Sequence, residues 1–147
     1  MYEYKCNIVK VIDGDTVDVD IDLGFGMWML DERVRIMGID TPESRTRDLV
    51  EKKFGLAAKK RLIELLGKSA VLATQVNKNG EDMKGKFGRI LGDFNVYDST
   101  TDSWRKSGEV LVSEGHAVEY FGQNKEDIQE AHMANRKRLL ESGVVDL

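Results

Sequence analysis

The alternation of apolar and polar residues predicts that strands dominate the first third of this chain. Residues 4–12 form a run rich in β-branched side chains, and the Asp13-Gly14-Asp15 sequence that follows is typical of a turn. Between residues 17 and 23, aliphatic side chains alternate with aspartate, which is the period of a strand with one face in water. A third strand is predicted at 33–39.

The remainder of the chain predicts three helices and two further strands. Phe54, Ala58 and Leu62 recur at helical spacing within 50–66, and Gly67 stands where that helix should end. The later elements are strands at 70–76 and 89–97 and helices at 106–114 and 125–141, the last with Asn124 as its N-cap. This pattern predicts a single α+β domain over residues 1–147, whose five strands can close into the small Greek-key barrel called the OB-fold.

Composition narrows the class of protein. The 147 residues are 41% hydrophobic and 33% charged, which is ordinary for a soluble globular domain. The single cysteine, Cys6, excludes an intrachain disulfide. No basic stretch followed by an apolar run opens the chain, and no apolar run approaches the roughly 20 residues that a membrane-spanning helix needs. We therefore expect a cytoplasmic location and no membrane contact.

The charges are strongly segregated along the chain. A net charge of −4 argues against general binding to polyanions. Residues 13–32 nevertheless contain seven acids and no base, whereas residues 45–61 contain seven bases against two acids. An acidic cluster beside a basic segment suits a site that cleaves phosphate esters, but the basic segment is explained equally well as the solvated face of a helix.

Two short segments carry the residues with the most chemical information. Asp15 lies in the first predicted turn, and Asp40 and Glu43 belong to an Asp-Thr-Pro-Glu sequence with Arg35 just upstream. Carboxylate oxygens are preferred ligands of hard divalent cations, and an arginine fork suits a phosphate. A phosphodiester substrate would use both. Each aspartate, taken alone, is explained more simply by a turn or a cap.

Three segments together resemble the staphylococcal nuclease (thermonuclease) family. They are residues 11–16, Arg35 followed by residues 39–43, and Phe87-Gly88-Arg89, in the order and approximate spacing of that family, and residues 50–55 are similar to the start of its first helix. The resemblance extends over nearly the whole chain. It implies a five-stranded OB-fold barrel with three helices that carries a calcium-dependent nuclease, cleaving DNA and RNA with little sequence preference and leaving 3′-phosphate ends.

The resemblance also implies a ligand set for the metal ion. Asp15 and Asp40 correspond to the two calcium carboxylates of the family, and the main-chain carbonyl of Thr41 corresponds to a further ligand. Two carboxylates, a carbonyl and several waters are compatible with the six to eight oxygens that Ca²⁺ takes. Asp13 is expected to order the turn rather than to bind the metal directly.

The catalytic roles follow from the same resemblance. Glu43 corresponds to the general base, or to the residue that positions the attacking water; otherwise it would be a first-turn helix residue stabilised by the helix dipole. Arg35 and Arg89 correspond to the two arginines that bind the phosphate. Their rigid forks of N–H donors suit the negative charge that grows on the phosphoryl oxygens in the transition state.

Substrate contacts are expected from three further residues. Tyr120 corresponds to an aromatic residue that lies against the nucleotide, Phe87 stands where the family often has tyrosine, and Lys86 suits a contact with the nucleic-acid backbone. His116 and His132 form no metal or nucleophile constellation, and we expect both to be structural.

Two other classes of function were considered beside the enzyme. A non-catalytic, nuclease-like OB-fold module would bind nucleic acid or protein, but such modules tend to lose a metal carboxylate or an arginine, and this chain retains all of them. A general binder of single strands would need several interleaved aromatic residues on its strands, and the chain is only 7% aromatic.

The stretch between Asp15 and Arg35 is longer than the family predicts, and its added part is strongly apolar. Residues 23–30, the hairpin tip, read Leu-Gly-Phe-Gly-Met-Trp-Met-Leu. The tip could fold over the substrate as a lid, pack against a second copy of the chain, or simply begin the third strand. We favour a homo-oligomer, because contiguous exposed apolar surface usually marks a contact site.

Overall fold

The computed structural model describes residues 2–75, 79–84 and 88–147, and within them the chain forms eight strands and three helices. The strands are β1 (Glu3–Asp13), β2 (Thr16–Gly24), β3 (Met27–Ile36), β4 (Ile39–Asp40), β5 (Ser69–Thr74), β6 (Ile90–Asp98), β7 (Ser103–Lys106) and β8 (Val118–Glu119). The helices are α1 (Leu49–Leu66), α2 (Ser107–Ser113) and α3 (Lys125–Glu141).

Five of the strands close into a ring, and this confirms the predicted α+β fold. The hydrogen-bonded order is β3-β2-β1-β5-β6, and β6 pairs back onto β3. The closing β3–β6 contact is parallel, whereas the other neighbours in the ring are antiparallel. This connectivity is that of an OB-like barrel. The short strands β4 and β8 pair with each other outside the ring, where they fix the segment that contains Asp40.

The barrel interior is filled by the alternating apolar residues of the strands. Val17, Val19 and Ile21 of β2 are buried, as the period of two in the sequence predicts. Val34 and Ile36 of β3 and Phe94 of β6 are buried in the same core. The aspartates between the buried residues of β2 therefore face outward, and of the acids between residues 13 and 32 only Asp13 and Asp15, in and before the turn that precedes β2, line the cleft described below.

Helix α1 closes one end of the barrel and follows the predicted pattern closely. Asp48 caps it, because its side chain accepts hydrogen bonds from the backbone N–H groups of Val50 and Glu51. Phe54, Ala58 and Leu62 form its buried face. The helix ends at Gly67, whose φ of +63° is accessible to glycine without steric cost.

The third strand starts earlier than predicted and is a correction to the sequence analysis. The expected strand at 33–39 is in fact β3, which begins at Met27, and the residues after it form the separate strand β4. The chain reverses at Phe25 and Gly26, both with positive φ, so the hairpin tip is a tight turn at the end of a long hairpin. Apolar residues occupy both faces of its strands, which breaks the alternation, but the alternative that residues 27–30 begin the third strand is confirmed.

In the part of the chain that the structure describes, no helix is long and apolar enough to cross a membrane.

Candidate functional site

One cleft contains every predicted metal-binding and catalytic residue. Its volume is about 520 Å³, and its walls come from the β1–β2 turn, the end of β3, β4 with the loop that follows it, and the residue before β6. The predicted residues along these walls are Asp15, Arg35, Asp40, Thr41, Glu43 and Arg89. Segments up to 74 positions apart in sequence, counted from residue 15 to residue 89, therefore meet at one surface.

Gly14 allows the β1–β2 turn to pack tightly behind this cleft. A Cβ atom on residue 14 would lie 2.8 Å from the Ala58 Cβ of α1 and 3.1 Å from the Thr41 Cγ2. Real Cβ atoms do not approach one another so closely. Glycine is therefore required at this position because any side chain would clash with α1, and not because of its backbone angles. The turn that carries Asp15 is thus fixed against both α1 and Thr41.

The Asp15 carboxylate is held by two neighbours. The Thr16 hydroxyl donates to Asp15 Oδ1 over 2.9 Å, and the Arg35 Nη2 lies 3.4 Å from Asp15 Oδ2. Both side chains of the ion pair are only slightly exposed, at 21% for Arg35 and 14% for Asp15. A carboxylate in such contacts has a defined orientation in the cleft before any ligand arrives.

Arg35 is anchored by the backbone on one side of its guanidinium. Its Nη1 donates to the Ile36 carbonyl, and its Nη2 donates to the Ile39 carbonyl over 2.9 Å. Arginine carries five N–H donors, so these two bonds leave others for a ligand in the cleft. The anchoring carbonyls belong to the last residue of β3 and the first residue of β4, and they tie the position of Arg35 to that of Asp40.

Asp40 has a partner that the sequence analysis did not identify. The Nε2 of His132 lies 2.7 Å from Asp40 Oδ2, across 92 positions of sequence. The His132 side chain is only 10% exposed, whereas that of Asp40 is 39% exposed. Ile128, His132 and Leu139 follow the face of α3 that packs inward, so a histidine on that stripe should have suggested a buried polar partner.

The loop between β4 and α1 carries Glu43 and is fixed by neighbouring side chains. The backbone N–H of Glu43 donates to Glu51 Oε2 over 3.0 Å, and the Ser44 hydroxyl donates to Asp13 Oδ1. Gly55 of α1 packs directly beneath, since a Cβ there would lie 2.6 Å from the Ser44 nitrogen. Asp13 is thus occupied in ordering the loop.

Glu43 is not a residue at the start of a helix, which was the simpler explanation of its presence in the sequence. The alternative that places Glu43 in the first turn of a helix is wrong, because α1 begins at Leu49. Glu43 lies in the preceding loop, with an exposed side chain on the rim of the cleft. The helix dipole falls off within one turn and therefore does not account for a glutamate at this position.

The donor set of the cleft suits a hard cation. Asp15 and Asp40 offer carboxylate oxygens and Thr41 offers a main-chain carbonyl, with no nitrogen or sulfur ligand among these residues. Among the described residues, no group of three or more His, Cys, Asp or Glu side chains is arranged to hold a metal ion. A two-carboxylate site must therefore complete its coordination with water and substrate oxygens, and Ca²⁺ tolerates such flexible shells.

Of the residues predicted to contact the substrate, only Tyr120 lies within the described residues, and it does not line the cleft that contains the predicted metal-binding and catalytic residues. It lines a neighbouring one, of about 580 Å³, that shares residues Asp40 to Glu43 with that cleft. The Tyr120 side chain is half exposed, and its backbone N–H donates to the Gly38 carbonyl. Lys86 and Phe87 lie outside the described residues.

The basic segment 45–61 is divided between several surfaces. Arg45 lines the cleft and lies 3.9 Å from Asp13 Oδ2. Arg61 instead forms a bidentate pair with Glu114, and Lys53 donates to the Asp146 carbonyl. Of the seven bases in this segment, only Arg45 lines the cleft. The lysines of α1 are exposed or half-exposed on the surface of that helix.

Comparison with known families agrees with the fold described above. A family model described as staphylococcal nuclease homologue matches residues 33–139, which is most of the chain and includes Arg35, Asp40, Glu43 and Arg89. No curated protein matches the chain. The matched region begins after Asp15, so the family model does not include the β1–β2 turn, which lines the same cleft as the matched residues.

Proposed function

This chain belongs to the family of staphylococcal nuclease homologues, and from that premise we propose that it is a calcium-dependent nuclease acting on both DNA and RNA. The observation that carries the proposal is that one cleft contains the two aspartates predicted to bind calcium, the two arginines predicted to bind phosphate, and Glu43. A non-catalytic binding module would need no such combination, because binding nucleic acid requires positive charge and stacking surface but not paired metal carboxylates.

Asp15, Asp40 and the Thr41 carbonyl would hold the calcium ion. When bound, calcium would neutralise charge on the phosphate and acidify a coordinated water. The Thr16 and Arg35 contacts to Asp15, and the His132 contact to Asp40, would keep both carboxylates oriented for that purpose. Magnesium would fit less well, because it demands a tighter octahedral shell.

Arg35 and Arg89 would bind the scissile phosphate from within the same cleft. Negative charge grows on the phosphoryl and leaving oxygens as the bond to the 5′-oxygen breaks. Because Arg35 is already anchored to two backbone carbonyls, it needs little reorganisation as that charge develops. Preorganised donors of this kind stabilise the transition state more than the ground state.

Glu43 would accept the proton of the attacking water. The new bond joins the water oxygen to phosphorus, the bond from phosphorus to the 5′-oxygen breaks, and the 5′-oxygen gains a proton from solvent. The products are a 3′-phosphate and a 5′-hydroxyl. An exposed glutamate on a loop held by Glu51 can reach a water in the cleft without a change of fold.

A degradation assay tests the proposal directly. Purified protein is incubated with plasmid DNA and with RNA in calcium, in magnesium and in excess chelator, and the ends of the products are identified. We expect both nucleic acids to be cut in calcium, poorly in magnesium and not in chelator, with 3′-phosphate ends. Binding of nucleic acid without cleavage in calcium would instead indicate the non-catalytic module.

A further inference from the structure

Helix α3 approaches the candidate metal site through a single buried histidine. His132 lies in the middle of Lys125–Glu141 and is one of the few polar residues that are nearly fully buried, at 9% exposure. Its Nε2 is 2.7 Å from Asp40 Oδ2. Burying an imidazole is unfavourable unless its polar atoms find partners, so this contact requires a reason in either stability or function.

The direction of this hydrogen bond follows from chemistry. An ionised carboxylate only accepts hydrogen bonds, so the proton must be on Nε2 of His132. Both the neutral Nε2–H tautomer and the imidazolium ion satisfy that condition.

The bond leaves the Asp40 carboxylate asymmetric. One oxygen, Oδ2, accepts from the buried histidine, whereas the carboxylate as a whole remains 39% exposed and lines the cleft. The backbone of Asp40 is fixed at the same time by pairing of β4 with β8. The histidine thus restricts rotation of the carboxylate and the strand pair restricts its position, which leaves Oδ1 as the oxygen that a bound cation would use.

Asp15 is held in a comparable way by other groups. Thr16 donates to its Oδ1 and Arg35 lies beside its Oδ2. Each carboxylate of the pair therefore has at least one donor that orients it. Partners of this outer kind typically change metal affinity by about 10- to 100-fold when they are removed.

We propose that His132 is a positioning residue for calcium binding, which acts by donating a hydrogen bond to Asp40 and thereby orienting its carboxylate. The proposal rests on the proposed function, because it assigns Asp40 to the calcium ion. It adds a third element, helix α3, to a site otherwise built from the barrel and the loop after β4.

Two substitutions of the same residue separate positioning from packing. His132→Phe keeps a planar ring but removes the donor, and His132→Gln keeps an amide N–H donor. His116→Phe is the matched control, because His116 is also buried, at 6% exposure, but lies away from the cleft and lines a groove beside α1 with Arg61 and Glu114. Calcium affinity is measured by titration calorimetry on each protein, after thermal melting in chelator has established the temperature at which all are folded.

We expect His132→Phe to weaken calcium binding by about 10- to 100-fold, His132→Gln to recover much of that loss, and His116→Phe to bind as the wild type does. Nitrogen-15 NMR of the wild-type imidazoles should show a proton on His132 Nε2 both with and without calcium. If His132→Phe fails to fold, His132→Leu, which also removes the donor, takes its place in the comparison with the glutamine variant.

The outcomes distinguish this proposal from the one on which it rests. Wild-type affinity in His132→Phe, or a bare Nε2 in the NMR spectrum, would overturn the positioning role while the nuclease proposal stood. Equal weakening in the phenylalanine and glutamine variants would assign the effect to packing and also overturn it. A wild-type protein that binds no calcium would overturn both.

Discussion

Among single residues, Arg35 shows how the fold fixes a positively charged group in the cleft before a ligand binds. Its two Nη atoms donate to the carbonyls of Ile36 and Ile39, and its Nη2 also lies near Asp15. Neither carbonyl contact could be predicted from sequence, since each depends on how the chain turns between β3 and β4. The placement of Arg35 in one cleft with Asp40 could be predicted, because the spacing of the two residues is part of a recognisable motif.

Replacing either arginine by lysine should reduce turnover far more than substrate binding. Lysine keeps the charge but loses the planar fork, so we expect Arg35→Lys and Arg89→Lys each to lower kcat by about 10²- to 10³-fold, as for other oxyanion donors. Single-turnover kinetics on a labelled oligonucleotide provide the measurement. Arg33→Lys is the control, since Arg33 is on the same strand but pairs with Asp18 at the surface. Near-normal turnover in either test variant would refute the transition-state role.

Replacing Glu43 by glutamine should slow hydrolysis and change its dependence on pH. The amide keeps the shape of the side chain but cannot take a proton, and the loop should persist because its contact with Glu51 uses the Glu43 backbone. Pre-steady-state rates between pH 5 and pH 9, together with calcium titrations, test this expectation. A rate and pH profile identical to those of the wild type would leave Glu43 with a structural role.

At the scale of elements, the sequence predicted helices better than strands. The apolar spacing and caps of α1 and α3 are local features, and both helices lie within a residue of their predicted limits. The short pair of β4 and β8 has no local signature, because two-residue strands exist only through their partners. The His132–Asp40 contact is of the same kind: it depends on how α3 docks, which no local pattern specifies.

Gly55→Ala should test the packing of α1 beneath the loop that carries Glu43. In an open helix this change stabilises by roughly 0.5–1 kcal/mol, but here the new Cβ would overlap the Glu43 carbonyl and lie 2.6 Å from the Ser44 nitrogen. We expect instead a loss of about 1–3 kcal/mol, with slower hydrolysis because the Glu43 loop shifts. Urea unfolding measures the first effect and Leu56→Ala, on the exposed face of α1, is the control. A gain in stability would show that the loop moves aside without cost.

At the scale of the whole molecule, the hairpin tip is the largest departure from the expected barrel. Phe25, Met27, Trp28 and Leu30 are exposed, and Met29 packs partly against the core. Trp28 lines a groove with Tyr97 and Trp104, whereas none of the described residues that line the cleft around Asp15 and Arg35 comes from the tip. This placement favours contact with a second copy of the chain over a lid on the substrate.

Phe25→Ser combined with Trp28→Ser should therefore lower the oligomeric mass in solution. Removing two exposed aromatic anchors weakens an apolar interface while leaving the calcium ligands untouched. Light scattering at tens of micromolar, with calorimetry of calcium binding on the same samples, checks both parts. A wild-type protein that is strictly monomeric at these concentrations would rule out the homo-oligomer.

We propose that hydrolysis requires calcium bound by Asp15 and Asp40. The sharpest test of this requirement is a titration of the cleavage rate with calcium. The rate of oligonucleotide cleavage is measured against calcium concentration for the wild type, for Asp40→Asn and for Asp102→Asn, a control in the exposed turn between β6 and β7. We expect a saturable calcium dependence for the wild type and the control, no rate in excess chelator, and a large loss in Asp40→Asn that added calcium only partly restores. Undiminished cleavage in excess chelator, or an Asp40→Asn variant that follows the wild-type curve, would contradict the account.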